Sequence, residues 1–265
     1  MLKILLSLLA IFIISGCASS TAGGVVGANR SQLMLVSADD MNKQSSLAYS
    51  EVLQKAKTAG TLDKDVKITQ QVNRVAKRLI AQVGAFRTDA RSWQWQVHTI
   101  DEDTLNAWCM PGGRIVVYSG IIKRLGLNDA ELAAVLGHEM AHALREHSRE
   151  QASSEEIKNL GLVAVASIFK LGGVAQTGLN IAAKYTFTLP FSRSHESEAD
   201  AIGTELMARA GYDPKAAVNV WKKMQALSST STPEILSTHP SNQTRIDELS
   251  KIAQKLEPIY QNAKK

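Results

Sequence analysis

Cysteine is nearly absent: Cys17 and Cys109 are the two in 265 residues. At most one bridge is possible, which excludes a fold stapled by disulfides. Long apolar runs are missing too. Ile4 to Ile14 is too short to cross a bilayer, and the apolar stretch from Leu160 to Ala183 is interrupted at Gly172-Gly173, so neither reaches the roughly 18 residues a spanning helix needs. Aromatic residues make up 5% of the chain and no basic block is interleaved with them, so nucleic acid is not an expected partner. Excess charge is small: 30 Lys and Arg against 25 Asp and Glu give +5, with a pI near 9.1. That is compatible with scattered solvated lysines or with a mild preference for anionic lipid headgroups. What is present is apolar content of 45%, enough for one globular domain with a sizeable core and an extension.

The first 16 residues have the order of a signal peptide: Lys3, the short run Ile4 to Ile14, then Ser15-Gly16 before Cys17. Ile14-Ser15-Gly16-Cys17 resembles a bacterial lipobox, in which the cysteine is acylated and becomes the mature N-terminus. The alternative is an ordinary secretory signal cut after Cys17 or Ala18. No aspartate follows Cys17, which resembles the pattern sorted to the outer membrane. The expected organisation is a signal peptide over 1–16, a lipid-anchored tether over 17–36, glycine-bearing and flexible from Ala18 to Arg30, and one domain over 37–265. An acylated Cys17 leaves Cys109 without a partner, and such a thiol is expected to be buried and inert. The competing role is a thiolate close enough to a cleft to bind metal or join another chain.

The chemistry is concentrated in Asn128 to Glu150. Asn128 and Glu131 form a capping-box pair, and Leu132, Val135, Leu136, Met140 and Ala143 follow at helical spacing. On that helix His138 and His142 lie on one face a turn apart, the HExxH arrangement, and can aim two imidazole nitrogens at one ion. Glu139 sits about 100° round the helix, where a carboxylate can take a proton from a water without being a ligand. A buried, hydrogen-bonded histidine pair on an amphipathic helix is the plainer alternative. A metzincin set would need a glycine and a further histidine downstream on the same stretch, but Arg145 and Ser148 stand at those two places. His147 follows His138 by nine residues, nearly the opposite side of a helix, and is expected to be solvent-exposed or capping.

A hydrolytic zinc site takes three protein ligands and keeps a fourth position for water or substrate. One other segment offers the third: Ser192 to Asp200, where Glu196 and Asp200 are four apart and would share a helix face. Glu196 could then reach the metal and Asp200 accept a hydrogen bond from a ligand histidine, with Glu198 pointing elsewhere. Taken alone, the run also suits a solvated charged face.

The two segments together resemble the M48 family of zinc metallopeptidases, in its Oma1/BepA-like branch of bacterial lipoproteins. The motifs are HExxH and, about fifty residues later, S-R-x-x-E-x-E-A-D-x-x-G from Ser192 to Gly203. The resemblance runs from about Val66 to Ile246. It implies His138, His142 and Glu196 as ligands of one zinc per chain, Glu139 as catalytic base and Asp200 as support for a ligand. The ligand types alone would also accept iron or manganese. Asn106-Ala107-Trp108-Cys109-Met110-Pro111-Gly112-Gly113 resembles the strand and turn that flank the family's cleft, where an edge strand could pair with an extended polypeptide. An ordinary hairpin would read the same way. Thr238-His239-Pro240 with Arg245 resembles the T-H-P-x-x-x-x-R signature. It implies that His239 faces the metal, either stabilising an oxyanion or occupying the water position at rest, with Arg245 in support.

Elsewhere, Ser37 with Asp40 predicts a helix reaching about Thr58, and Asp65 to Val83 a second one. Trp93, Trp95 and Val97 alternate with polar residues as in a strand. Glu156 to Lys184 suits packed helices, a mobile lid over the cleft or a membrane-leaning surface. Asp213-Pro214 starts another helix after Gly211, and Ser241 to Glu257 forms the last. The fold expected is mainly α (α+β), zincin-like, with a small β-sheet beside the active-site helix. The resemblance implies a zinc-dependent endopeptidase, lipid-anchored in the outer membrane facing the periplasm, that hydrolyses misfolded or unassembled envelope proteins. A chaperone-like factor working with outer-membrane assembly machinery and rarely cleaving, or a structural lipoprotein, are the alternatives.

Overall fold

The computed structural model describes residues 17–168, 189–228, 234–239 and 243–264. The expected signal peptide and most of the expected lid lie outside them. Among the described residues, no helix is long and apolar enough to cross a membrane.

Two short antiparallel strands, β1 (Cys17–Ala18) and β2 (Gln32–Leu33), precede α1 (Ala38–Thr58), whose N-terminus is capped by Ser37 accepting from the Asp40 amide. Asp65 caps α2 (Val66–Ile80) in the same way, satisfying an amide the helix leaves unpaired. The helix stops short of Val83, which lies in a separate 3₁₀ turn.

The sheet contains β3 (Gln96–Ile100), β4 (Ala107–Met110) and β5 (Arg114–Tyr118) in the order β3-β5-β4, with β5 parallel to β3 and antiparallel to β4. Trp93 and Trp95 precede β3 rather than form it: a 3₁₀ turn over Asp89–Ser92 ends at Trp93, and the Trp95 indole bonds back to the Ala90 carbonyl. Both sheet faces are covered. Ile115 and Val117 face the main core with Leu132, Leu136 and Met140, while Val116, Trp108 and Met110 pack against Tyr49 of α1. This is the period-two alternation of a strand read in a doubly buried sheet.

After α3 (Ser119–Leu125) come α4 (Asp129–Leu144), which carries HExxH, α5 (His147–Ile168) and α6 (Arg193–Arg209). Then follow α7 (Lys215–Ser228), α8 (Glu234–Thr238) and α9 (Gln243–Ala263), which runs on past Glu257 with Pro258 inside it. The expectation of a mainly helical domain with one small sheet beside the active-site helix agrees with this architecture.

The flexible tether does not. Residues 19–36 lie against the body as a strap: the Ala22 amide bonds to the Phe86 carbonyl at 2.7 Å and the Val26 amide to Glu205 at 3.0 Å. The strap also closes the end of α4. Ser20 and the Gln32 amide donate to the Arg145 carbonyl at 2.9 and 2.7 Å, satisfying a helix-end acceptor. Composition missed this because the partners stand far along the chain, 113 to 179 residues away for Arg145 and Glu205.

Candidate metal centre

The site is built on α4 and α6. The Asn128 side chain accepts from the Glu131 amide at 3.0 Å while Glu131 accepts from the Asn128 amide at 3.1 Å, so the capping box fixes where α4 starts. Ser192 accepts from the His195 amide at 3.2 Å and starts α6. The two helices cross at Gly137 and Gly203, close enough to bring the Glu196 carboxylate to the histidines.

His138, His142, Glu196 and His239 offer donor atoms that all lie within 4.8 Å of one another. His138 Nε2 and His142 Nε2 are 3.2 Å apart, and each is 3.5 Å from an oxygen of Glu196. Donors bound tetrahedrally to zinc at about 2.05 Å would stand about 3.3 Å apart. His239 Nδ1 is 3.2 Å from His138 Nε2 and 2.9 Å from Glu196 Oε1, in the same cluster. Glu139 Oε1 is buried without a hydrogen-bond partner among the described residues, 3.6 Å from His239 Nε2. Two imidazoles facing each other across a carboxylate, beside an unpartnered buried oxygen, make a donor set that fits a zinc ion and a water.

The support below this cluster is ionic. Asp200 Oδ1 lies 3.0 Å from His138 Nδ1, and Arg245 spans both carboxylates, 2.8 Å from Asp200 Oδ2 and 2.6 Å from Glu196 Oε2. Its guanidinium also lies 4.1 Å from the centre of the Trp221 ring. Burial alone would push Glu196 and Asp200 up; the histidines around Glu196, and Arg245 with His138 around Asp200, outweigh it and keep both as carboxylates. Burial raises the Glu139 carboxyl and pulls the His142 imidazole well down.

β4 forms an edge of the sheet. At its start α8 takes over the pairing: the Ile235 amide donates to the Leu105 carbonyl at 3.2 Å, and Asn106 donates to Glu234 at 3.3 Å. Ala107 and Trp108 are buried, and Pro111-Gly112 opens the turn into β5, where Gly112 has φ +83°. Cys109 is buried and its thiol is pushed well up by burial.

Sequence reasoning misplaced His147. Helical projection puts it opposite His138, but α4 ends at Leu144 and Glu146 adopts a left-handed φ of +54°, so the chain turns before α5 begins. His147 is therefore 0% exposed, with Nδ1 2.9 Å from His142 Nδ1 and Nε2 3.1 Å from Glu198. Burial pulls its pKa down to about 4. Glu198 points away from the cluster and receives Arg145 and Arg30 as well.

Comparison with known proteins meets this geometry. The profile of peptidase family M48 matches residues 67–253, and the chain belongs to that family of zinc-dependent peptidases. It is 36% identical over 221 residues to the mitochondrial metalloendopeptidase OMA1 of Schizosaccharomyces pombe, covering 82% of this chain and 62% of that protein. OMA1 of Bos taurus is 30% identical over 234 residues, 84% of this chain and 44% of the relative. The beta-barrel assembly-enhancing protease of Yersinia pestis is 29% identical over 203 residues, 73% and 40% respectively. The chain thus spans from 40% to 62% of the length of these three relatives.

Proposed function

We propose that this chain is a zinc endopeptidase of the bacterial envelope. The observation that carries the reading is the convergence of His138 and His142 with Glu196, from two separate helices, beside the buried unpartnered oxygen of Glu139. His138, His142 and Glu196 would hold the zinc ion, which would supply Lewis acidity toward a scissile carbonyl and toward water near neutrality. Glu139 takes the proton of the attacking water and returns it to the leaving amine, a role suited to a carboxyl raised by burial. His239 donates to the developing oxyanion once it leaves Glu196. Arg245 holds Asp200 and Glu196, so its charge acts beneath the ligands. An extended substrate pairs with the β4 edge from Ala107 onward, past the part that α8 occupies at Leu105 and Asn106.

Anchoring is part of the proposal. Acylation of Cys17 would attach the lipid at the start of β1, and the docked strap would then hold the domain at the outer membrane's periplasmic face rather than on a tether. Misfolded or unassembled envelope proteins are the substrates proposed. The position of His239 among the ligands favours a second reading, an assembly factor for outer-membrane proteins with little turnover.

The test is cleavage of casein or an unfolded porin by the parent and by Glu139→Gln, with zinc content measured alongside. The variant is expected to keep zinc and fold and lose about 10²- to 10⁴-fold in rate. Equal rates would sink the mechanism, and a parent with metal but no turnover favours the assembly factor.

A further inference from the structure

An imidazole that binds a metal through one nitrogen carries its proton on the other, and that proton needs an acceptor. His138 has Asp200. His142 instead faces another imidazole, His147, with the two Nδ1 atoms 2.9 Å apart. One of these atoms must donate and the other accept, and His142 alone does not decide which.

Glu198 decides it. An ionised carboxylate only accepts, so His147 Nε2, 3.1 Å from Glu198 Oε2, bears a proton. In a neutral His147 the Nδ1 atom is then a lone pair. His142 Nδ1 therefore carries the hydrogen and donates, which leaves His142 Nε2 a lone pair facing His138 Nε2 at 3.2 Å, on the side where a metal would sit. The reverse arrangement would put a proton on His142 Nε2 and close it to a metal.

The rings and the carboxylate are held in place. Phe191 stacks on His142 with centroids 4.1 Å apart, and His195 stacks on His147 at 4.5 Å and 17°. Glu198 is gripped by Arg145, 3.1 Å from Oε1, and by Arg30 of the strap, 3.1 Å from Oε2. Arg145 is itself 0% exposed and also donates to Ser19 at 2.9 Å.

We propose that His147 is a positioning residue for His142: Glu198 sets the direction of the proton between the two rings, and the N-terminal strap holds Glu198. Proton transfer is not required, since the same hydrogens stay on the same atoms throughout. As a statement about zinc affinity it rests on the metallopeptidase reading; as a statement about tautomers it does not.

The experiment uses the full chain with ¹⁵N-labelled histidine. Imidazole nitrogen shifts and a coupling across the N–H···N bond should show His142 protonated at Nδ1 and His147 at Nε2. In a zinc competition against a chromophoric chelator, His147→Leu and Glu198→Gln should bind zinc about 10- to 100-fold more weakly than the parent. His147→Asn, whose side-chain oxygen can accept in place of Nδ1, should recover most of that loss. His147 protonated at Nδ1, or a His147→Leu affinity within about twofold of the parent, overturns the proposal. If His147→Leu does not fold, the tautomers of the parent decide. A parent that binds no zinc would sink the metallopeptidase reading, and the tautomers would still decide this one.

Discussion

Gly137 and Gly203 touch backbone to backbone: a Cβ placed on Gly137 would lie 2.7 Å from the Gly203 carbonyl oxygen, and one on Gly203 would lie 2.7 Å from the His138 amide nitrogen. Neither clash can be relieved by turning a flexible side chain. An alanine at either position must push α4 and α6 apart at the level of His138. Gly203→Ala is expected to cost about 1–3 kcal/mol, as overpacking does elsewhere, and to weaken zinc binding by separating Glu196 from the histidines. Denaturant unfolding and zinc titration would measure the two effects. A variant with parental zinc affinity would mean that the crossing distance does not set the site.

Glu196 and His239 should separate on metal removal. Glu196→Ala deletes one of the three proposed ligands and is expected to lose zinc on dialysis. His239→Ala leaves His138, His142 and Glu196 in place and should retain one equivalent. Metal analysis after exhaustive dialysis distinguishes them, and equal loss would show that His239 is as necessary as the carboxylate.

Arg245 is the counter-charge for two buried carboxylates. Arg245→Met removes the guanidinium and leaves the carboxylates with histidines alone for partners, with an expected loss of up to about 3 kcal/mol in the metal-free protein. Zinc should restore part of it, because the ion binds the folded state. Chemical denaturation with and without zinc is the measurement; a loss below about 1 kcal/mol would place Arg245 outside the support of the site.

Glu150 gives a pH signature at the strap. Burial pushes its carboxyl up, but hydrogen bonds from His195, Arg30 and Gln32 outweigh burial and hold it well below the carboxylate range. A depressed folded pKa means that its stabilisation is present above the unfolded value, about 4.3, and is lost as pH falls from there toward the folded value. The melting temperature of the metal-free parent should therefore fall more steeply below about pH 4.3 than that of Glu150→Gln. Parallel curves would show that Glu150 contributes nothing there.

Much of the molecule is legible locally. Asn128 with Glu131, Ser37 with Asp40, and Asp65 mark helix starts because a cap joins residues three apart. His138 and His142 share a face for the same reason: helical periodicity is a property of consecutive residues. The boundaries of β3 and of the last helix were less legible, because a 3₁₀ turn and a tolerated proline leave no fixed spacing.

The sequence by itself determined the residue types and their local order: two imidazoles one turn apart with a carboxylate between them, a distant E-x-E-A-D string, and helices that begin at named caps. Only the tertiary structure decided what meets what. A single left-handed residue, Glu146, turned His147 from an expected surface position to the flank of His142. The strap's bonds to Arg145 and Glu205 made a folded element of a glycine-bearing stretch, since a segment that buries donors against distant acceptors is ordered by those acceptors and not by its own composition. Contacts across long stretches of chain depend on how helices pack, and periodicity along one segment carries no record of its neighbours.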